Sequence, residues 1–366
     1  MDKISVSITD RAPDAAVTGV NPGEEQKRHM IQRKKNAPTI KDVAAEAGVS
    51  VGSVSKVING KPTSEKCRRL VLDAIEKLDY RVNSYAQGLK SSRTCTVALL
   101  IPNTVNPFFA QLVYHINTAL LHRNYRMLLC CTEYDPSLEQ EYVSMVQQNK
   151  VDGIIGLTFN PDIQIDPEIS FVSIDRVINP YTPCVTSDNY AGGALAAAQL
   201  ARLGCKSAAF LRVGSRLDTE PNKRKSGFEN GCLMHGLQFE TMLLDDGDHN
   251  NELFREYLAD HIHSGKLDFD GIFCVTDMLA CNIRAILNDL GLSAPQDVQL
   301  IGFDGIRQFG SGDYLCSTIV QPVEDLAKMA VDLLLLRNES VRPPLVCLPV
   351  EFAEGGTTRT PEGGTT

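Results

Sequence analysis

No run of about 18 apolar residues occurs in this chain, so a membrane-spanning helix is not expected. The opening stretch "MDKISVSITDRAPDAAVTGVNPGEEQKRHM" has no apolar segment of the signal-peptide kind. Export is therefore not expected, and residues 1–37 read as a disordered leader of a cytoplasmic protein. Cys-x-x-Cys pairs and His/Cys clusters at zinc-ligand spacing are both missing. The chain also lacks GxSxG, HExxH, a Gly-Lys phosphate loop and a GxGxxG that opens a helix after a strand. Together these absences argue against an enzyme, and no metal or cofactor is expected. "SVSK" does match the Ser-x-x-Lys pattern of acyl-serine enzymes, but it sits on a short surface helix without supporting motifs. No segment repeats at a fixed period.

Cysteine is plentiful at 11 residues, yet most lie inside apolar runs such as "MLLCC", "GIFCV" and "LVCLPV". There they read as small, reduced core side chains. With 366 residues, 43% hydrophobic and 22% charged, the chain has apolar mass for two or three globular domains. Its charge is uneven. Residues 34–93 carry 12 Lys/Arg against 6 Asp/Glu, whereas the whole chain is at -9. A basic module on an acidic body fits anion binding confined to one end.

Local signals in that module are dense. Thr39 is a suitable N-cap, and Asp42 three residues on can return a bond to it. Ile40, Val43, Ala44 and Ala47 form one helical face, and Gly48 supplies a left-handed stop. Ser50 caps a second helix from Val51, with Val54, Val57 and Ile58 inward, ending at Asn59-Gly60. A third helix is predicted from Ser64 to about Asp79, with Cys67, Val71, Ala74, Ile75 and Leu78 inward. Two helices joined by a short Gly-containing turn match the helix-turn-helix unit. Residues 38–82 thus read as an all-α headpiece, and 83–93, "NSYAQGLKSSR", as a linker with weak helical tendency.

From Thr94 short apolar strands alternate with amphipathic helices through "TVALLI", "DGIIGLTF", "SAAFLRV", "GIFCV" and "VQLIGFD". Strands apolar on both faces and separated by helices indicate doubly wound parallel sheets. Residues 94–366 are too many for one sheet, which predicts two lobes with a ligand cleft beyond the strands' carboxyl ends.

The ordered set "TIKDVAAEAGVSVGSVSKVING", "LDYRVNSYAQGLKSSRT", "ALLIPNTVNPFF", "VSIDR", "RKSGF", "TDMLA", "IGFD" and "STIVQP" resembles the LacI/GalR family of bacterial repressors. The resemblance implies a homodimer that binds a pseudo-palindromic operator in double-stranded DNA. It also implies a two-lobed, periplasmic-binding-protein-like core that senses a small, sugar-like effector. Lobe 1 would hold about 94–186 and 322–337, and lobe 2 about 187–320 and 340–366. An exported sugar-binding protein with the same core, or a regulator governed by a protein co-repressor, are the alternatives.

By the same resemblance, the helix capped by Ser50 would enter the major groove, with Val51, Gly52 and Lys56 at base-reading positions. Lys56 could donate to guanine and Val51 touch a thymine methyl. Thr39, Ser53, Ser55, Asn59, Ser64 and Tyr80 would hold phosphates. Leu89 matches a hinge-helix leucine wedged into the minor groove, beside a helix-weakening Gly88. Asn106 and Phe108 would reach the effector from lobe 1; Asp218, Glu220, Arg224, His249, Asp277 and Asp304 would do so from lobe 2. Carboxylates accept from hydroxyls, Arg donates, and an aromatic face packs on sugar C–H groups, so this set suits a polyhydroxyl ligand. Gly355 stands where the family commonly has arginine.

Overall fold

The computed structural model describes residues 38–80, 94–148, 151–214, 217–245, 247, 249–336 and 343–360. The expected leader 1–37 and linker 83–93, with Gly88 and Leu89, lie outside these. Packing divides the chain into two units, 1–87 and 88–366.

In the first unit, Thr39 and Asp42 form a reciprocal capping box at the start of α1 (Ile40–Ala47), and Gly48 ends it at φ 63°. Ser50 Oγ accepts the Ser53 N–H at 3.1 Å to open α2 (Val51–Ile58). Ser64 opens α3 (Glu65–Lys77) in the same way, accepting from Cys67 N–H at 3.3 Å. That helix stops at Lys77, two residues before the predicted end, because Asp79 turns left-handed at φ 45°. Val43, Ala44, Ala47, Val54, Val71 and Ala74 make the small core, and Tyr80 packs against it.

The second unit holds two six-stranded sheets. Lobe 1 contains β1 (Thr96–Ile101), α4 (Pro107–Leu121), β2 (Arg126–Cys131), α5 (Pro136–Gln148), β3 (Gly153–Gly156), β4 (Phe171–Ile174) and β5 (Cys184–Ser187). Lobe 2 contains α6 (Asn189–Arg202), β6 (Ser207–Val213), α7 (Lys223–His235), β7 (Gln238–Leu244), α8 (Asn250–Asp260), a small hairpin of β8 (Ile262–His263) and β9 (Lys266–Leu267), β10 (Gly271–Cys274), α9 (Asp277–Asp289), β11 (Gln299–Asp304) and β12 (Ser317–Val320). The chain then returns through α10 (Val323–Leu335) and β13 (Leu345–Leu348), and ends in β14 (Glu351–Ala353).

Strand order is β13-β5-β4-β3-β1-β2 in one sheet and β14-β12-β11-β10-β6-β7 in the other. Every pairing between these strands is parallel except β12 with β14. The placement of β13 corrects the expected lobe boundary. Residues from 340 onward are expected in lobe 2, yet Leu345–Leu348 pairs with β5 as an edge strand of lobe 1. Its side chains alternate exposed and half-buried, the pattern of an edge, and Pro349 separates it from β14. The chain therefore passes between lobes after β5, after β12 and after β13.

Lobe 2 is centred on Phe210, Phe228, Phe273 and Phe303, whose neighbouring ring centroids lie 5.4–6.5 Å apart. Helices α6 and α7 cross very closely. A Cβ on Gly193 would come within 2.8 Å of Phe228 N and closer still to the Arg224 carbonyl. Only glycine permits that approach, and it fixes the first turn of α7, where Arg224 sits.

Candidate functional site

A cavity of about 270 Å³ lies between the two lobes at the carboxyl ends of their strands. Arg224 is its centre. The residue is only 3% exposed; its Nε donates to Asn189 Oδ1 at 2.7 Å and Nη1 to the Val275 carbonyl at 2.6 Å. Its guanidinium lies 3.6 Å over the Phe303 ring, and Asp304 Oδ1 is 3.8 Å from Nη1. Burial pulls the guanidinium's pKa down, and Asp304, Asp175 and Asp277 counter that pull.

Two chains of hydrogen bonds run from lobe 2 into lobe 1. In one, Arg224 holds Asn189, whose Nδ2 donates to Thr186 Oγ1 at 3.0 Å, and Thr186 Oγ1 donates to Asp175 Oδ1 at 2.7 Å. In the other, Asp304 Oδ1 accepts from Gln321 Nε2 and Gln321 Oε1 accepts from Ser187 Oγ, both at 2.8 Å. All these side chains are buried. Burial pushes Asp304 up to about 8 against the opposing pull of Arg224, and it raises Asp175 as well. Both aspartates hold positive φ, 128° and 59°. Such backbone strain in a non-glycine residue concentrates at functional sites.

Of the expected effector residues, Asn106, Phe108, Arg224 and Asp304 line the cavity. Asn106 also caps α4 through Phe108 N–H. Four do not line it, and each has a physical reason. Asp277 is 0% exposed, with Oδ2 accepting Ile306 N–H at 2.7 Å and Oδ1 accepting the Cys316 thiol at 3.4 Å, so it braces the loop after β11. Glu220 is buried and ion-paired with Lys223 at 2.8 Å. Asp218 is exposed. His249 has a side chain 88% exposed and sits beside Glu252 at the start of α8.

In their place the strand ends bring Tyr134, Phe159, Asp175, Arg176 and Arg212 to the cavity, with Phe109 beside Phe108. None of these was singled out from sequence. The signal was present: each follows or ends a parallel strand, where ligands sit in such folds. Tyr134 and Phe159 meet edge to face at 5.0 Å.

In the headpiece, Val51, Gly52 and Lys56 share the exposed face of α2 opposite buried Val54. Thr39, Ser50, Ser64 and Asn59 are exposed, while Ser53, Ser55 and Tyr80 are half-buried. The hydroxyls of Thr39, Ser50 and Ser64 already accept helix N–H groups as caps. Lys56, Lys61, Lys66, Arg68 and Arg69 are exposed. No helix among the described residues is long and apolar enough to cross a membrane.

Comparison with known proteins follows the two units. A family model described as bacterial regulatory proteins, lacI family, matches residues 39–83. One described as periplasmic binding proteins and sugar binding domain of LacI family matches residues 94–331. The chain is 31% identical over 334 residues to a sucrose operon repressor of Pediococcus pentosaceus, covering 87% of this chain and 99% of that protein. A periplasmic binding protein/LacI transcriptional regulator from Alkaliphilus metalliredigens, complexed with D-xylulofuranose, is 27% identical with TM-score 0.60 over 72% of this chain and 99% of its own. The lac repressor dimer bound to operator and an anti-inducer superposes with TM-score 0.74 at 19% identity, over 88% of this chain and all of that one, a likeness of fold.

Proposed function

The chain belongs to the LacI family of bacterial regulatory proteins, and from that premise we propose a cytoplasmic, dimeric repressor of carbohydrate-utilisation genes. Its operator affinity is switched by a sugar-like effector held in the cleft between the lobes. It acts by binding rather than by catalysis. The observation that carries this reading is the buried path Arg224–Asn189–Thr186–Asp175, which starts in lobe 2 and ends in lobe 1. A ligand on Arg224 and Asp175 touches both ends of that path, so its affinity depends on how the lobes meet. Differential affinity for two lobe arrangements is what an effector needs to shift DNA binding.

At the other end, Val51, Gly52 and Lys56 read bases from the exposed face of α2. Gly52 discriminates little for want of a side chain, so Lys56 supplies most of the specificity. Thr39, Ser53, Ser55, Asn59 and Ser64 set register on the phosphates, and Leu89 wedges the minor groove. The test is an operator titration of the full chain by fluorescence anisotropy, with and without each of a panel of sugars. A sugar that shifts wild-type affinity and leaves Asp304→Ala unaffected supports the reading. An equal shift in both proteins refutes the cleft as the sensing site.

A further inference from the structure

After the linker, the described chain resumes at Thr94, two residues before β1. One carboxylate holds it there. Asp152, the residue before β3, accepts the Thr94 N–H at 2.7 Å and the Thr94 hydroxyl at 3.1 Å on Oδ1, and the Cys95 N–H at 2.9 Å on Oδ2. The Asp152 N–H in turn donates to the Thr96 carbonyl at 2.8 Å. On the other flank, Arg126 N–H donates to the Cys95 carbonyl at 2.8 Å. Cys95 itself is left-handed at φ 49°, a conformation that persists in a non-glycine residue only where its surroundings impose it. On the reading that an effector switches operator affinity, we infer that Asp152 is a positioning residue of that switch. It fastens the end of the linker to lobe 1, so that a lobe movement set by the effector reaches the headpiece.

The clamp sits at the amino ends of β1 and β3, whereas the cleft lies at the carboxyl ends. Strand β1 alone separates the two rims by roughly 20 Å at ~3.3 Å per residue, and Asp152 is not among the residues that line the cavity. A pull travels along a chain only if its far end is fixed. Releasing Thr94 and Cys95 would add two residues to 81–93 and up to about 7 Å of slack, at ~3.3–3.6 Å per residue. Element shifts of ~1–2 Å are typical of allosteric transitions, so that slack is enough to absorb one. Lobe 2 carries the same device without a linker. Asp270, the residue before β10, accepts the Lys206 and Ser207 N–H groups at 2.6 and 3.2 Å, both on Oδ2, ahead of β6. Each aspartate precedes a glycine that starts a strand, Gly153 or Gly271, so fixing a strand start belongs to the fold. Lobe 1 differs in using both carboxylate oxygens and the Thr94 hydroxyl, and in holding the chain that arrives from the headpiece. Asp270 is therefore a control of equal structural role.

The test uses the full chain and an operator that the wild type selects from a random-sequence DNA library. Operator Kd is measured by fluorescence anisotropy without sugar and at saturating ribose, glucose, fructose or sucrose, and the ratio of the two values is the coupling. Calorimetry gives each sugar's own Kd, and urea midpoints report folding. A wild-type ratio of about 5- to 150-fold is the usual range for such coupling. In Asp152→Ala the ratio should fall to near one while the sugar's Kd stays within about threefold of wild type. Thr94→Val, which keeps both backbone bonds to Asp152, should lose part of the ratio. Asp270→Ala should lower the urea midpoint as much as Asp152→Ala does and keep the ratio. An unchanged ratio in Asp152→Ala, or an equal loss in Asp270→Ala, overturns the inference and leaves the cleft as the sensing site. If Asp152→Ala does not fold, Thr94→Val decides, and an unchanged ratio there overturns the inference too. If no sugar shifts the wild type's operator affinity, the sugar-sensing reading falls and the inference falls with it.

Discussion

Replacing Gly193 by alanine tests whether the α6–α7 crossing positions Arg224. The added Cβ would meet Phe228 N at 2.8 Å and the Arg224 carbonyl even more closely, both of them backbone atoms that cannot rotate away. The helices must therefore separate by about 1.5–2 Å to bring the closer contact to ordinary distances of ~3.5–4 Å. Overpacking of this sort costs about 1–3 kcal/mol. Alanine's better helix propensity returns about 1 kcal/mol. Displacement of α7 also strains the bonds from Arg224 to Asn189 and Val275, and losing one such charge-assisted bond costs roughly 1.5–3 kcal/mol more. A net loss of about 2–4 kcal/mol is expected. In urea, with a slope near ~3 kcal/mol/M for a unit of this size, the midpoint should fall by about 1 M. Circular dichroism against urea measures it, and effector titration of the same protein should show weakened binding. A variant with unchanged midpoint and unchanged ligand affinity would refute the claim that this approach places Arg224.

Lys56→Ala should relax discrimination at one base pair per half-site by ~1–3 kcal/mol; an equal loss on every sequence in a binding-site library would make Lys56 a phosphate contact instead. Gly52→Ala meets only Ser50 Oγ, at 3.7 Å, so it should raise amide-exchange protection at Val54 by up to about 1 kcal/mol. Lower protection would mean that α2 has no room there. The raised carboxyl of Asp304 makes a pH prediction. An acid whose folded pKa is about 8 against 3.8 unfolded holds its proton longer in the native state. Its stabilisation is complete below about pH 4 and is lost as pH rises through 8. Asp175 and Asp277 are raised too and act in the same direction. Urea midpoints should fall between pH 5 and 8, and Asp304→Asn, which cannot ionise, should fall less; parallel profiles for the two proteins would exclude Asp304 as a cause.

What could be read beforehand depended on whether local chemistry or tertiary packing set each outcome. The Thr39–Asp42 capping box, the Gly48 stop and the Ser50 cap are sequence-local, and all three stand where they were expected. Parallel sheets were legible because strands buried on both faces are mostly apolar runs, as β1 and β3 are. The edge strand β13 carries only alternate burial and follows a long connection, so nothing local assigns it to one lobe or the other. Asp277 misled because an acidic residue in the first turn of a helix at a strand's carboxyl end is where ligand groups also sit. Here Gly302 makes room beneath it and the Ile306 N–H turns it inward.

The cavity's composition follows from the same distinction. Asp218 and His249 lie on connecting segments, whose direction no periodicity fixes, and both face solvent. Tyr134, Phe159, Asp175, Arg176 and Arg212 are placed by the strands they end or follow, because a parallel sheet delivers those ends to one rim. Counting polar residues in the connecting loops therefore gives an acidic, polyol-like site, whereas counting at the strand ends gives a basic, aromatic one. Asn189 and Gln321 extend this logic to the switch. Each stands beside a crossing between lobes, and each bonds a cleft charge on one side and a β5 hydroxyl on the other. Neutralising Arg224 or Asp304 by ligand or by proton must then alter the bonds that fix the lobes' relative position. Ligand binding and lobe rearrangement are coupled through one buried network, in which the cost of an unsatisfied group is high.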